Sequence, residues 1–155
     1  MSTTTQAFVE VQMLIRQPAS LVYNAFIDPE ITRHFWFTKG SDKLAEGKSV
    51  TWEWEMYNVS SPVQVLRLVP DRQIVIDWGE PATRVDFNFR PTAAGHTYVV
   101  IRQTGLEEQG DELLAQLRDL TGGFTTVVDG LKAWLEHGVE LNLIADKFPT
   151  DTGAH

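Results

Sequence analysis

The sequence predicts one α+β domain, in which a curved antiparallel sheet is wrapped around a long C-terminal helix. Short segments that alternate apolar and polar residues fill most of the first two thirds of the chain, as half-buried strands do. The last third changes to the three- and four-residue spacing of an amphipathic helix. A length of 155 residues is usual for one domain. We expect this domain to span residues 7–148, between flexible tails at 1–6 and 149–155.

The chain begins with a predicted strand and two short helical segments. Residues 7–16 alternate in the manner of a half-buried strand. Pro18 is suited to the first position of a helix. The pair Asp28-Pro29 is predicted to end that helix. Residues 30–37 are predicted to add a turn or two, and the polar stretch 40–47 is predicted to be a loop.

Up to five further strands follow this loop. Tight turns such as Pro70-Asp71-Arg72 and Gly79-Glu80-Pro81 separate them. Connections this short favour antiparallel pairing, because a parallel crossover needs a dozen or more residues. The predicted strands occupy residues 48–56, 62–69, 73–78, 83–90 and 96–103.

The last third of the chain is predicted to be helical. Leucines mark a first segment over residues 111–119. After Gly122-Gly123, apolar residues from Phe124 to Leu135 recur at helical spacing and form one stripe. Gly138 can supply a left-handed residue that ends the helix. The apolar run 139–148 is predicted to dock as another short helix.

Composition excludes several classes of function. The formal net charge of −8 opposes binding to nucleic acid or to an anionic membrane surface. The absence of cysteine excludes disulfides, thiolate nucleophiles and Cys-containing zinc sites. No apolar stretch approaches the roughly 20 residues that span a bilayer, and residues 1–6 show no signal peptide. We therefore expect a cytoplasmic protein without membrane insertion.

Wide side chains on the predicted inner face point to a binding cavity. Gly123 and Gly130 lie two turns apart on the helix, where missing side chains would remove bulk beside the sheet. Either a small hydrophobic or aromatic molecule occupies this space, or the rings fill it and form a solid core. The predicted ligand-binding residues are Trp36, Trp52, Trp54, Trp78, Phe87, Phe89, Phe124, Val127 and Leu131.

Ionisable residues provide the alternative, an enzyme of the cyclase or hydrolase type. Glu53 and Glu55 share one face of a strand and would enter the cavity if the two faces of the sheet were reversed. Arg102 would bind a ligand carboxylate if it belonged to the inward set of the last strand. His34 lies in an aromatic segment that could gate the mouth of the pocket. No catalytic residue is predicted.

The histidines do not indicate a metal site. They lie at positions 34, 96, 137 and 155, and none has a partner at the spacing of zinc ligands. We predict neither a metal nor a cofactor.

The order of these elements resembles the START-like, or SRPBCC, superfamily. Its helix-grip fold clasps a long C-terminal helix in a curved sheet. The segments Trp52-Glu53-Trp54-Glu55-Met56-Tyr57, Val69-Pro70-Asp71-Arg72 and Thr121-Gly122-Gly123-Phe124 are similar to the branch named for the activator of the heat-shock-protein-90 ATPase, as is the stretch 130–138. This resemblance spans roughly residues 7–148 and implies a ligand carrier, a cyclase or a stress-response module.

The resemblance also raises the question of protein partners. The activator that names the branch carries an additional N-terminal domain, which this sequence does not contain, and this counts against a chaperone partner. A homodimer is compatible with the sequence. The favoured partner is therefore a small hydrophobic or aromatic molecule.

Overall fold

The computed structural model describes residues 6–149, and the predicted tails outside this range are not described. The helices are α1 (Ala19–Ile27), α2 (Pro29–Thr32), α3 (Gly110–His137) and α4 (Leu143–Lys147). The strands are β1 (Val9–Ile15), β2 (Lys39–Gly40), β3 (Ser49–Trp54), β4 (Val59–Val69), β5 (Gln73–Trp78), β6 (Thr83–Pro91) and β7 (Thr97–Thr104).

The strands form one curved antiparallel sheet in the order β1-β7-β6-β5-β4-β3-β2. From β2 to β7, neighbours in sequence pair with each other, through the loop 41–48 between β2 and β3 and through shorter connections thereafter, and β1 closes against β7. The predicted α+β helix-grip architecture is confirmed. The loop predicted over residues 40–47 begins later than expected, because Lys39 and Gly40 pair with Glu53 and Trp52 as an edge strand.

The inner face of the sheet carries the residues that the alternation predicted. Val50, Trp52 and Trp54 are buried along β3, whereas Thr51 is exposed and Glu53 is partly exposed on the other face. Because side chains alternate across a strand, a slip of one residue would expose all three apolar side chains. The strand ends at Trp54, where a 3-10 turn over Glu55–Tyr57 replaces the last predicted residues.

The first two helices fill one half of the space above the sheet. Asp28 ends α1, and its side chain accepts a hydrogen bond from the Glu30 N–H at the start of α2 (3.0 Å). Pro18 lies just before α1 rather than inside it. The chain then turns Phe35, Trp36 and Phe37 into the core.

The long helix α3 continues through Gly122 and Gly123, where the sequence predicted an interruption. Glycine in a helix costs roughly 1 kcal/mol relative to alanine, so flanking interactions must hold this segment. Phe124, Val127, Val128 and Leu131 are buried immediately after the pair. The helix ends as predicted at Gly138, whose φ of +64° is left-handed.

Glu136 fastens the end of α3 to the end of β1. Its Oε2 accepts hydrogen bonds from the Arg16 N–H (2.8 Å) and from Lys132 Nζ (2.7 Å). Lys132 Nζ also donates to the Leu14 carbonyl (2.9 Å). Burial alone would raise the pKa of Glu136, but the hydrogen bonds from Arg16 and Lys132 and the Lys132 charge hold that pKa below its usual range.

We expect Glu136→Gln to lower the free energy of unfolding by about 1–2 kcal/mol at pH 7. A carboxyl group with a lowered pKa in the folded state stabilises the protein above its unfolded-state pKa, and this contribution disappears as the pH falls through the folded-state pKa. The difference between wild type and variant should therefore shrink in acid. Urea unfolding of both proteins at pH 7 and at an acidic pH measures this difference.

Asp129→Asn is the control for this experiment. Asp129 is exposed on the same helix, and its substitution should change the free energy of unfolding by less than about 0.5 kcal/mol. A difference for Glu136→Gln that stays constant with pH would contradict the assigned role of the carboxylate.

An aromatic cleft as the candidate functional site

A cleft of about 560 Å³ opens between the sheet, the middle of α3 and the short helix α4. The ends of β3 and β5 and the start of β4 form one wall, and α3 forms the second. The C-terminal segment forms the third wall, and Trp36 lies between them. The lining residues are Trp36, Trp54, Tyr57, Val59, Trp78, Asp119, Leu120, Gly123, Phe124, Val127, Ile144, Lys147 and Phe148.

Aromatic rings in mutual contact form much of this cleft. The Trp36 ring lies 5.9 Å from the rings of both Trp78 and Phe124, in edge-to-face geometry. Trp54 lies 6.2 Å from both Trp36 and Trp78. These side chains therefore support one another.

Five of the nine predicted ligand-binding residues line this cleft. Trp36 comes from the segment after α2, Trp54 from β3 and Trp78 from β5, whereas Phe124 and Val127 come from α3. These residues lie far apart in the sequence, and the packing of α3 across one end of the sheet brings them together.

The other four predicted residues, Trp52, Phe87, Phe89 and Leu131, lie in the packed core, each at most 2% exposed. The first two helices cover the centre of the sheet, where Phe26 contacts Phe87 and Phe89. Trp52 stacks on the Phe37 ring at 4.9 Å. Rings therefore fill one half of the space above the sheet, and a cleft remains in the other half.

The two glycines predicted to relieve bulk beside the sheet have different surroundings. A Cβ on Gly130 would lie 3.1 Å from Phe35 Cβ and 3.3 Å from the Phe35 carbonyl oxygen. This glycine therefore allows the segment after α2, rather than the sheet, to approach the helix. A Cβ on Gly123 would meet nothing within 4 Å, because Gly123 lines the cleft.

The C-terminal segment contributes residues that were not among the predicted ligand-binding residues: Ile144, Lys147 and Phe148. The Tyr57 hydroxyl donates a hydrogen bond to the Ile144 carbonyl and holds α4 against the 3-10 turn. The predicted short helix after Gly138 was the available sequence signal, but its docking position was not predictable. Only the tertiary contacts place it at the cleft.

One polar group inside this wall has no partner among the described residues. The indole N–H of Trp78 is buried and donates to no described acceptor. A buried donor without a partner costs about 1–3 kcal/mol. The aromatic wall therefore contains a donor that the described protein groups leave unsatisfied.

The ionisable residues of the enzymatic alternative lie outside the cleft. Glu53 faces outward beside Lys39, at 3.9 Å, and Glu55 is exposed in the 3-10 turn. Arg102 lies on the outer face, 3.5 Å from Glu10 and over the Phe8 ring. The alternative in which these residues enter the cavity is wrong. The strand register places Trp52, Trp54 and Ile101 on the inner face instead.

His34 lines a second, smaller cleft of about 260 Å³ rather than the aromatic one. Its ring stacks on the Trp134 ring at 4.0 Å. His34 Nδ1 lies 3.0 Å from Glu140 Oε1. This pair joins the segment after α2 to the segment after α3. Trp36 and Ile144 line both clefts and lie between them.

Residues 6–149 contain neither a metal-binding cluster nor a membrane-spanning helix. No group of three or more metal-ligating side chains is positioned to bind an ion within this range. None of the described helices combines the length and apolarity needed to cross a membrane.

The sequence matches a known protein family. Residues 16–136 match the family described as activator of Hsp90 ATPase homolog 1-like protein. The chain belongs to this family. The predicted START-like superfamily and its branch are thereby confirmed, and the match covers most of the sheet and nearly all of α3. Among curated proteins, no relative matches the chain.

Several solved structures share this fold. The protein SSP2350 from Staphylococcus saprophyticus has 27% identity and a TM-score of 0.77 over 87% of this chain and 96% of its own. MLL2253 from Mesorhizobium loti has 19% identity and a TM-score of 0.74, covering 86% and 99%. The Aha1 dimer from Colwellia psychrerythraea has 15% identity and a TM-score of 0.72, covering 85% and 98%. At 19% and 15% identity, the MLL2253 and Aha1 structures support the shared fold alone.

Proposed function

We propose that this protein binds a small hydrophobic molecule in the aromatic cleft. The observation that carries the proposal is the set of four rings, Trp36, Trp54, Trp78 and Phe124, that line an open volume of about 560 Å³. Sites for small molecules are typically concave and mostly apolar, with few polar groups. The cleft has these properties, and the rest of the inner face is packed.

The ionisable residues that the sequence suggested for catalysis do not support it in the cleft. Glu53, Glu55 and Arg102 were the candidates for chemistry, and all three face away from the cleft. General acid–base catalysis requires an ionisable group within hydrogen-bond reach of the reacting atoms. A binding function needs only the apolar walls and a few polar contacts.

The experiment is a fluorescence titration with N-phenyl-1-naphthylamine, a neutral apolar probe. We expect saturable binding at one site, with quenching of tryptophan emission by energy transfer. The dissociation constant should be about 1–100 µM, the range that a ligand of this size reaches at ordinary ligand efficiency. Native mass spectrometry of the purified protein would report a molecule that stays bound through purification.

A probe signal that rises linearly without saturation would contradict the proposal. A signal that survives the substitution Gly123→Leu, which places a side chain in the cleft, would also contradict the proposal. The probe would then bind elsewhere on the surface.

A homodimer is a separate part of the proposal. The relative from Colwellia psychrerythraea is described as a dimer. Val139, Leu141 and Phe148 are exposed apolar residues at and after the end of α3. A second copy that covered these residues would remove apolar surface from water.

A further inference from the structure

The polar groups of the aromatic cleft favour a ligand that accepts hydrogen bonds. The Trp78 indole N–H is buried and has no exposed surface that a ligand could reach, so the accessible donor of the cleft is Lys147. The Tyr57 hydroxyl already donates to the backbone of α4. Lys147 adds an ammonium group at the C-terminal wall, and Asp119 is the only carboxylate among the described lining residues.

Lys147 is held at the edge of the cleft without a described carboxylate partner. Its Nζ lies 3.4 Å from Thr126 Oγ1, a long contact to a hydroxyl that itself donates to the Gly122 carbonyl. The ammonium also lies 3.0 Å from the position that a Cβ on Gly122 would occupy. The missing side chain therefore allows the ammonium to rest against α3, with donor capacity left for a ligand.

We propose that the ligand is a hydrophobic carboxylate, whose apolar body fills the aromatic cleft and whose acidic group binds Lys147. This inference rests on the proposed function of the cleft. A hydrogen bond from an ammonium to a carboxylate is charge-assisted and stronger than one between neutral groups. Because the net charge of −8 repels anions at a distance, the preference for an acid must come from this local contact.

Asp119 lies on α3, one turn before Gly122, and also lines the cleft. Its carboxylate repels an acid in the cleft, so removing its charge should strengthen binding of a carboxylate. Lys147 and Asp119 therefore form a matched pair of exposed residues with opposite expected effects.

The test uses three fluorescent probes with the same apolar body: 1-pyrenebutyrate, 1-pyrenebutanol and 1-pyrenebutylamine. We expect wild-type protein to bind the acid about two- to fivefold more tightly than the alcohol, the effect of one solvent-exposed ion pair. The amine should bind no more tightly than the alcohol. Competition by dodecanoate or by 2-naphthoate distinguishes an alkyl from an aryl carboxylate.

Lys147→Met keeps an unbranched apolar side chain and removes the charge. We expect this variant to lose the preference for the acid, measured as the ratio of its dissociation constants for the alcohol and the acid. Asp119→Asn should retain the preference or increase it. Circular dichroism checks that both variants are folded.

Each outcome separates this inference from the proposed function. If no pyrene compound binds, the cleft is not a ligand site and both proposals fail. If all three bind equally, or if the acid keeps its advantage in Lys147→Met, only the inference about the carboxylate is overturned.

Discussion

Replacing Gly123 with leucine is expected to weaken binding of N-phenyl-1-naphthylamine at least tenfold and to leave the fold stable. A leucine here would begin in open space, because a Cβ at Gly123 meets no atom within 4 Å. The residue lines the cleft, so the added side chain would occupy the volume that the ligand needs. Helix propensity should also improve by up to about 1 kcal/mol.

Two variants control this prediction. Gly123→Ala adds one methyl group and should keep most of the binding while it stabilises α3. Thr125→Leu adds apolar bulk at an exposed position of the same helix and should leave binding unchanged. Titration with the naphthyl probe measures all three variants. Wild-type affinity in folded Gly123→Leu would show that the ligand does not enter the aromatic cleft.

Replacing Trp52 with alanine is expected to lower the free energy of unfolding by about 3–5 kcal/mol. Trp52 is 2% exposed, stacks on Phe37 at 4.9 Å and lies 4.9 Å from Trp36. Removing the indole loses its transfer free energy and leaves a cavity that the surrounding rings can close only in part. Urea unfolding followed by circular dichroism measures this loss.

Phe148→Ala is the matched comparison for this substitution. Phe148 is 57% exposed, so its loss should cost less than about 0.5 kcal/mol. It lines the cleft, and its removal should therefore affect binding more than stability. A cost below about 1.5 kcal/mol for Trp52→Ala would contradict the packing of β3 against residues 36–37.

The strands were predictable because their pattern is local. β5 has the predicted bounds, Gln73–Trp78, and the other predicted strands differ from the observed ones by one to three residues. The alternation also predicted which face of β3 is buried, since consecutive side chains point to opposite faces. The edge strand at residues 39–40 was missed because two residues carry no periodicity, and only pairing with β3 defines them.

The candidate site was predictable only in part. Trp54, Trp78 and Phe124 line the cleft as the sequence suggested, but Phe87 and Phe89 have the same alternation and lie in the core. No local signal separates these two groups. The difference arises because Phe26 covers the middle of β6, whereas α1 leaves the ends of β3 and β5 uncovered.

Gly123 and Gly130 illustrate the same division. Both were predictable as small residues on one helix, yet one contacts Phe35 and the other lines the open cleft. The sequence by itself determined the helix-grip fold and the inward faces of its strands, because hydrophobic periodicity acts between near neighbours. The tertiary structure alone decided where rings fill the interior and where space remains, because that depends on how α1, α4 and the segment after α2 pack against distant strands.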